Sequence, residues 1–338
     1  MFRWEKIRKP VFCLAPMAEI TTLPFRSICK SMGADIVFTP MISSDAVVFN
    51  PEKTLKIAEF LTKEQPVIVQ IFGYDGEKIA QAANIVDKKL KPAGIDINMG
   101  CPAPNITGNE CGSGLLRDLD KALDLVKIVR KMYKGQLSVK LRLGWREYNI
   151  KEFCQQLEKI GVDALIIHGR TAKQKYTGHA NWQPIYDVAQ SIQIPVIGNG
   201  DIMDWRMAYR LLAPSIFEGL HIVYRQNDKP LAIGDKQLAG VMIGRGALGN
   251  PFIFKEIKGK RTYTNKFKEL PKIIHEQTLK YIEYTGNEKR AILEMRKHLG
   301  WYIKGFAGAQ EIRKKAMLVN NYQDVKMILK ELENNGKS

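Results

Sequence analysis

The chain has no run of about 18 consecutive apolar residues, the length a membrane-spanning helix needs. Its start, Met1-Phe2-Arg3-Trp4-Glu5-Lys6, lacks the apolar stretch of a secretory leader. A cytoplasmic protein with no membrane association is expected. Cysteine is scarce: five residues at 13, 29, 101, 111 and 154, an odd number with no CxxC pair. That argues against a disulfide framework and against a zinc site, so no metal is expected. Internal repeats and low-complexity segments are absent. Acidic residues are in deficit, 35 against 52 Lys and Arg, giving a net charge of +17. The last 80 residues, from Gly259, carry 17 basic against 9 acidic side chains, a denser excess than the rest of the chain. Many cationic contacts to phosphates drive nucleic-acid binding through counterion release, so a polyanionic partner is the expectation.

Apolar runs of strand length alternate with amphipathic stretches as far as residue 254. The strand candidates are Phe12–Pro16, Ile36–Thr39, Val67–Ile71, Gly94–Ile97, Ser138–Leu141, Ala164–Ile167, Pro195–Ile197 and Gly240–Ile243, with helices such as Asp75–Leu90 and Asp120–Tyr133 between them. Continuous apolar strands separated by helices predict a parallel sheet covered on both faces. Eight such units in this length fit a closed (β/α)8 TIM barrel better than an open sheet. The barrel is placed at residues 1–257, with an insertion at about 213–239 on the face away from the strand C-termini. A polar linker at 258–267 follows, then an α-helical bundle at 268–338 with helices Leu270–Tyr284, Glu288–Ile303, Ala309–Val319 and Tyr322–Glu333. A monomer is expected.

Asp96-Ile97-Asn98-Met99-Gly100-Cys101-Pro102 brings an amide and a thiol together on a loop made sharp by Gly100 and Pro102, at a strand end where barrel enzymes keep their chemistry. Taken alone, a cysteine is a small buried hydrophobe. Lys140 and Arg142 share one face of their strand, and two cations directed into a barrel are costly unless an anion meets them. His168 and Arg170 follow the next strand, and Gln70 stands near the end of an earlier one. Gly244-Arg245-Gly246-Ala247-Leu248-Gly249 matches GxGxxG, but a dinucleotide fold needs a further βαβ unit after it, and Asn250-Pro251 and helices follow instead. With Gly198-Asn199-Gly200-Asp201 it reads as the phosphate site that barrels build after their last two strands.

Leu14-Ala15-Pro16-Met17-Ala18, Pro24-Phe25-Arg26, Gln70-Ile71-Phe72-Gly73, the Asn98–Pro102 loop, Val139–Trp145, His168–Thr171, Gly198–Asp201, Met242–Gly246 and Arg296–Tyr302 together resemble the bacterial tRNA-dihydrouridine synthases. The resemblance covers nearly the whole chain except 213–239. It implies FMN-dependent reduction of a uridine in tRNA, with NADPH or NADH as reductant and the D-loop as the family's usual target. Hydride would pass from flavin N5 to uracil C6, and a proton from Cys101 to C5 on the opposite face. By motif, Pro16, Met17 and Ala18 would lie along the flavin, and Gln70, Lys140 and His168 would meet its polar edge. Asn199, Gly200, Asp201, Gly244 and Arg245 would hold the phosphate. Asn98 would orient the uracil, with Arg142, Arg170, Arg296 and Lys297 as further RNA contacts. Glu19 stands where the family usually has Gly, Pro40 where it usually has an acid, and the 213–239 segment has no counterpart.

Overall fold

The computed structural model describes residues 2–212 and 238–335, so nearly all of the expected insertion at 213–239 lies outside the described residues. Nine strands are present among the described residues: β1 (Val11–Leu14), β2 (Ile36–Phe38), β3 (Ile42–Ser43), β4 (Val67–Phe72), β5 (Gly94–Met99), β6 (Leu137–Arg142), β7 (Ala164–His168), β8 (Val196–Asn199) and β9 (Gly240–Ile243). Every pairing is parallel, and a β2–β4 pairing closes the sheet into an eight-stranded barrel. The short β3 only extends the ladder of β4 at its C-terminal end. All eight expected strands form, and most run one or two residues further at an end. The TIM-barrel expectation holds, and a C-terminal group of helices follows it.

Side-chain alternation along the strands makes two different cores. One set (Phe12, Leu14, Val69, Ile71, Ile95, Ile97, Val139, Leu141, Leu165, Ile167) packs with the surrounding helices. The alternate set fills the barrel: Val11, Cys13, Ile36, Phe38, Ile68, Ala164, Ile166, Ile197 and Met242 cluster with Trp4, which plugs the N-terminal end. Further along the strands the inward positions turn polar: Gln70, Asp96 and Asn98, Ser138, Lys140 and Arg142, His168, Asn199. Apolar packing thus seals one end and leaves hydrogen-bonding groups at the other, which is the site. The surrounding helices carry their own start signals. Asp75 accepts from the backbone of Glu77 and Lys78, and Asp118 from Lys121, caps worth about 1 kcal/mol each.

The polar stretch after residue 254 is less open than its composition suggests. Helix Ile253–Gly259 buries Ile253, Phe254 and Ile257, and the next helix begins at Lys266. Helices Lys266–Thr285, Glu288–Tyr302, Ala309–Ala316 and Tyr322–Asn335 then share a core that also takes in Ile28 and Phe252 of the barrel. Polar contacts complete the junction. The Thr22 and Tyr281 hydroxyls meet at 3.1 Å, Tyr281 meets His298 Nε2 at 2.9 Å, and Lys297 Nζ donates to the Glu19 carbonyl at 2.8 Å.

Candidate active site

The C-terminal strand ends surround a cavity of about 720 Å³, within the range of small-molecule and cofactor sites. One wall is Pro16, Met17 and Ala18, held by a local turn in which Met17 N–H donates to Thr21 Oγ1 and Thr21 Oγ1 donates to the Met17 carbonyl. Glu19 follows in the left-handed region, φ 59°, which explains why glycine is usual there. Pro40 is buried beside the cavity without lining it, whereas its neighbour Met41 does line it.

The cavity's inner end is polar and cationic. Lys140 Nζ donates to Asn199 Oδ1 at 3.2 Å, and Asn199 Nδ2 donates to the Met242 carbonyl. Burial and the neighbouring Arg142 push Lys140 down to about 8, with Asp96 opposing them. Burial together with Lys140, Arg142, Arg170 and Arg245 holds His168 well below its ordinary value, so the imidazole is neutral. Its Nδ1 is buried with no hydrogen-bond partner. Lys140, Arg142, Lys175 and Arg245 line the cavity against one carboxylate, Asp201, among the described residues. An anionic group satisfies the charge excess, and His168 lines the same cavity.

The two glycine turns stand together at one end. Arg245 reaches Asp201 at 3.0 Å and remains half exposed. Asp201 also receives Arg170 Nη2 and the Ala180 N–H, each at 2.7 Å, so its carboxylate orients cations around the turn. The last two glycines of the GxGxxG match have packing reasons of their own. A Cβ at Gly246 would strike the Ile202 carbonyl, and one at Gly249 (φ 70°) the Trp301 carbonyl of the helical tail.

Cys101 lies partly exposed in the cavity wall. Its N–H and that of Gly100 donate to Asn98 Oδ1 at 2.9 and 3.0 Å, and its carbonyl accepts from Ser113 N and Oγ. Burial raises the thiol above its ordinary value despite the Ala103 backbone bond and the cations Arg142 and Lys140. The sulfur is therefore a protonated thiol at neutral pH. Gln70 and Asn98 also line the cavity, so the structure brings the expected barrel residues together except Arg170, which is buried behind it.

Arg142 donates to the carbonyls of Gly100, Thr171 and Lys175, and Arg170 to those of Thr177 and Gly178. Together they hold the 171–178 loop so that Lys175 and the exposed Tyr176 stand at the cavity mouth, with both Arg142 and Arg245 over the Tyr176 ring. Arg296 and Lys297 do not line the cavity. Arg296 bonds the Val319 carbonyl and Asn320, and Lys297 the Glu19 carbonyl and Glu294. Sequence reasoning assigned no role to Asp96, Ser138, Lys175 or Tyr176. Alternation from Asn98 and Lys140 points to the first two, whereas nothing in the sequence singles out the loop pair.

A family model described as dihydrouridine synthase matches residues 13–336. The chain belongs to this family. It is 35% identical over 309 residues to a "probable tRNA-dihydrouridine synthase" of Aquifex aeolicus, covering 90% of each chain. It is 32% identical to a "tRNA-dihydrouridine synthase B" of Pseudomonas aeruginosa, over 96% of this chain and 94% of that one. Among solved structures, a variant of NCR from Zymomonas mobilis aligns with a TM-score of 0.48 at 12% identity, over 78% of this chain and 93% of that one, too distant to carry an argument. For this dihydrouridine synthase family member, no helix among the described residues is long and apolar enough to cross a membrane.

Proposed function

We propose that the protein reduces a uridine of tRNA, in the D-loop, to 5,6-dihydrouridine, with FMN held in the barrel and NADPH or NADH as reductant. The observation that carries this reading is the Cys101 thiol, kept protonated by burial, in the wall of a cavity otherwise rich in cations. Bound there, FMN supplies the hydride for uracil C6. The chain's own residues supply the rest. Pro16, Met17 and Ala18 offer a wall for a flat ring, and Lys140 a positive charge where reduction builds negative charge. His168 stands in the same wall as a neutral imidazole for the ring edge, and the Gly200 and Gly244 turns with Arg245 take the phosphate. Cys101 holds the proton that C5 needs, as a positioned general acid.

A uracil inside a barrel mouth has left its stack, so RNA must be gripped elsewhere while one nucleotide enters. In this reading residues 268–338 grip tRNA and residues 1–257 do the chemistry, joined through 258–267. Arg142 and Arg170 act by fixing the 171–178 loop, and Arg296 and Lys297 by fixing the tail. Exposed Lys289, Arg290 and Arg313 meet phosphates. The enzyme works as a cytoplasmic monomer.

The test is purification followed by reaction. The protein should carry visible flavin absorbance and, with NADPH, form dihydrouridine in tRNA that lacks it. Turnover of a free pyrimidine with none on tRNA would instead mark a flavoenzyme of small pyrimidines. A colourless protein that binds RNA and takes up no FMN would mark a binding module.

A further inference from the structure

The polar end of the barrel contains a continuous line of hydrogen bonds, its direction fixed at one end by backbone N–H donors and at the other by the Asp96 carboxylate when ionised. Ser138 Oγ donates to Asp96 Oδ1 and Gln70 Nε2 to Asp96 Oδ2, each at 2.7 Å. Asn98 Nδ2 donates to Gln70 Oε1, also at 2.7 Å, and Asn98 Oδ1 accepts the N–H groups of Gly100 and Cys101. Strand register makes this possible, since Gln70, Asp96 and Ser138 are level neighbours on β4, β5 and β6.

We propose that Asp96 is the positioning residue that orients the Gln70 and Asn98 amides and so fixes the loop carrying Cys101. Burial raises Asp96 to about 7 against its Gln70 and Ser138 bonds and Lys140; in its ionised form it only accepts, and a backbone N–H only donates. With Asp96 at one end, Gln70 must turn Nε2 toward it and Oε1 toward Asn98. Asn98 must then present Nδ2 to Gln70 and Oδ1 to the loop. Reversing Gln70 sets its Nε2 against Asn98 Nδ2, and reversing Asn98 sets Nδ2 against two N–H groups and releases Gly100 and Cys101. Asp96 is fully buried and does not line the cavity, so it acts through these amides and touches no ligand.

The inference rests on the proposed role of Cys101 for its catalytic meaning, but its test also reads the loop directly. Cys101 alkylation by iodoacetamide, followed by mass spectrometry of its peptide, is measured on the flavin-loaded protein beside turnover on tRNA. Asp96→Leu removes the terminal acceptor, and alkylation should change at least fivefold while kcat falls at least tenfold, with KM for tRNA within about threefold. Asp96→Asn can still accept from Gln70 through its oxygen and donate to Ser138, so it should restore both readouts to near the native values. Should Asp96→Leu fail to fold, Gln70→Glu and the pair Gln70→Glu/Asp96→Asn decide. The single change sets two carboxylates face to face and should disturb alkylation. The pair moves the acceptor one link along the chain and should repair it. Native alkylation in Asp96→Leu, equal damage in Asp96→Asn, or no repair in the pair would overturn the proposal. Alkylation that follows these expectations in a protein inactive on tRNA would leave the positioning role standing and remove the proposed function.

Discussion

Replacing Cys101 by alanine should separate chemistry from binding. The loop is held through backbone groups, namely the Gly100 and Cys101 N–H donors to Asn98 and the Cys101 carbonyl to Ser113. Alanine keeps all of them and loses only the sulfur. Flavin content and tRNA affinity should therefore stay within about twofold of native. A positioned general acid contributes about 10²–10⁴ in rate, which is roughly 2.7–5.4 kcal/mol of barrier at 1.36 kcal/mol per decade. The assay is anaerobic single turnover: protein reduced with NADPH is mixed with tRNA lacking dihydrouridine, and flavin reoxidation is timed. The variant should be slower by at least a hundredfold. The pH profile has a defined sign. The competent form is the thiol, and burial raises its titration above the ordinary range, so the native rate holds through neutral pH and falls as pH rises through the raised value. A variant reoxidised within threefold of native would refute the role of Cys101.

Lys140→Met should weaken FMN binding at least tenfold by equilibrium dialysis. Native affinity should fall above pH 8, because Lys140 in the free protein loses its charge near about 8, and the variant should show no such fall. Arg26→Met strands Glu64, its fully buried partner at 2.9 Å, and should cost about 3–5 kcal/mol in denaturant unfolding; a loss under 1 kcal/mol would contradict that. Gly249→Ala forces a left-handed residue and a collision with Trp301 at the junction of barrel and tail, costing at least the 1–3 kcal/mol of such strain. Its melting temperature should drop, and retention of the native value would count against that packing.

Much of this molecule can be read along the chain because its strands are short, apolar and punctuated. Gly94 opens β5, Gly198 sits within β8 and Gly240 opens β9, and capping aspartates mark the helices between. The helical tail is legible from Gly286 and from Gly305 with Gly308, all in the left-handed region. Period-2 alternation also places Lys140 and Arg142 inside the barrel. It does not show that Arg142 is already engaged by three carbonyls, since those acceptors come from loops 29 to 42 residues away. Basic side chains at Arg296 and Lys297 look like an RNA-facing stripe in sequence. In space they tie the tail helices together and to the barrel, because a helix face says nothing of what packs on it. Asp96 escaped for a related reason: its partners Gln70 and Ser138 become neighbours only through strand register.

The most direct measurement is mass-spectrometric mapping of dihydrouridine in tRNA from cells lacking this gene, compared with the same cells given the native gene or the Cys101→Ala form. A D-loop uridine should be unreduced in the deleted cells, reduced again with the native gene, and unreduced with the alanine form. An unchanged dihydrouridine map on deletion, or full restoration by Cys101→Ala, would contradict the account.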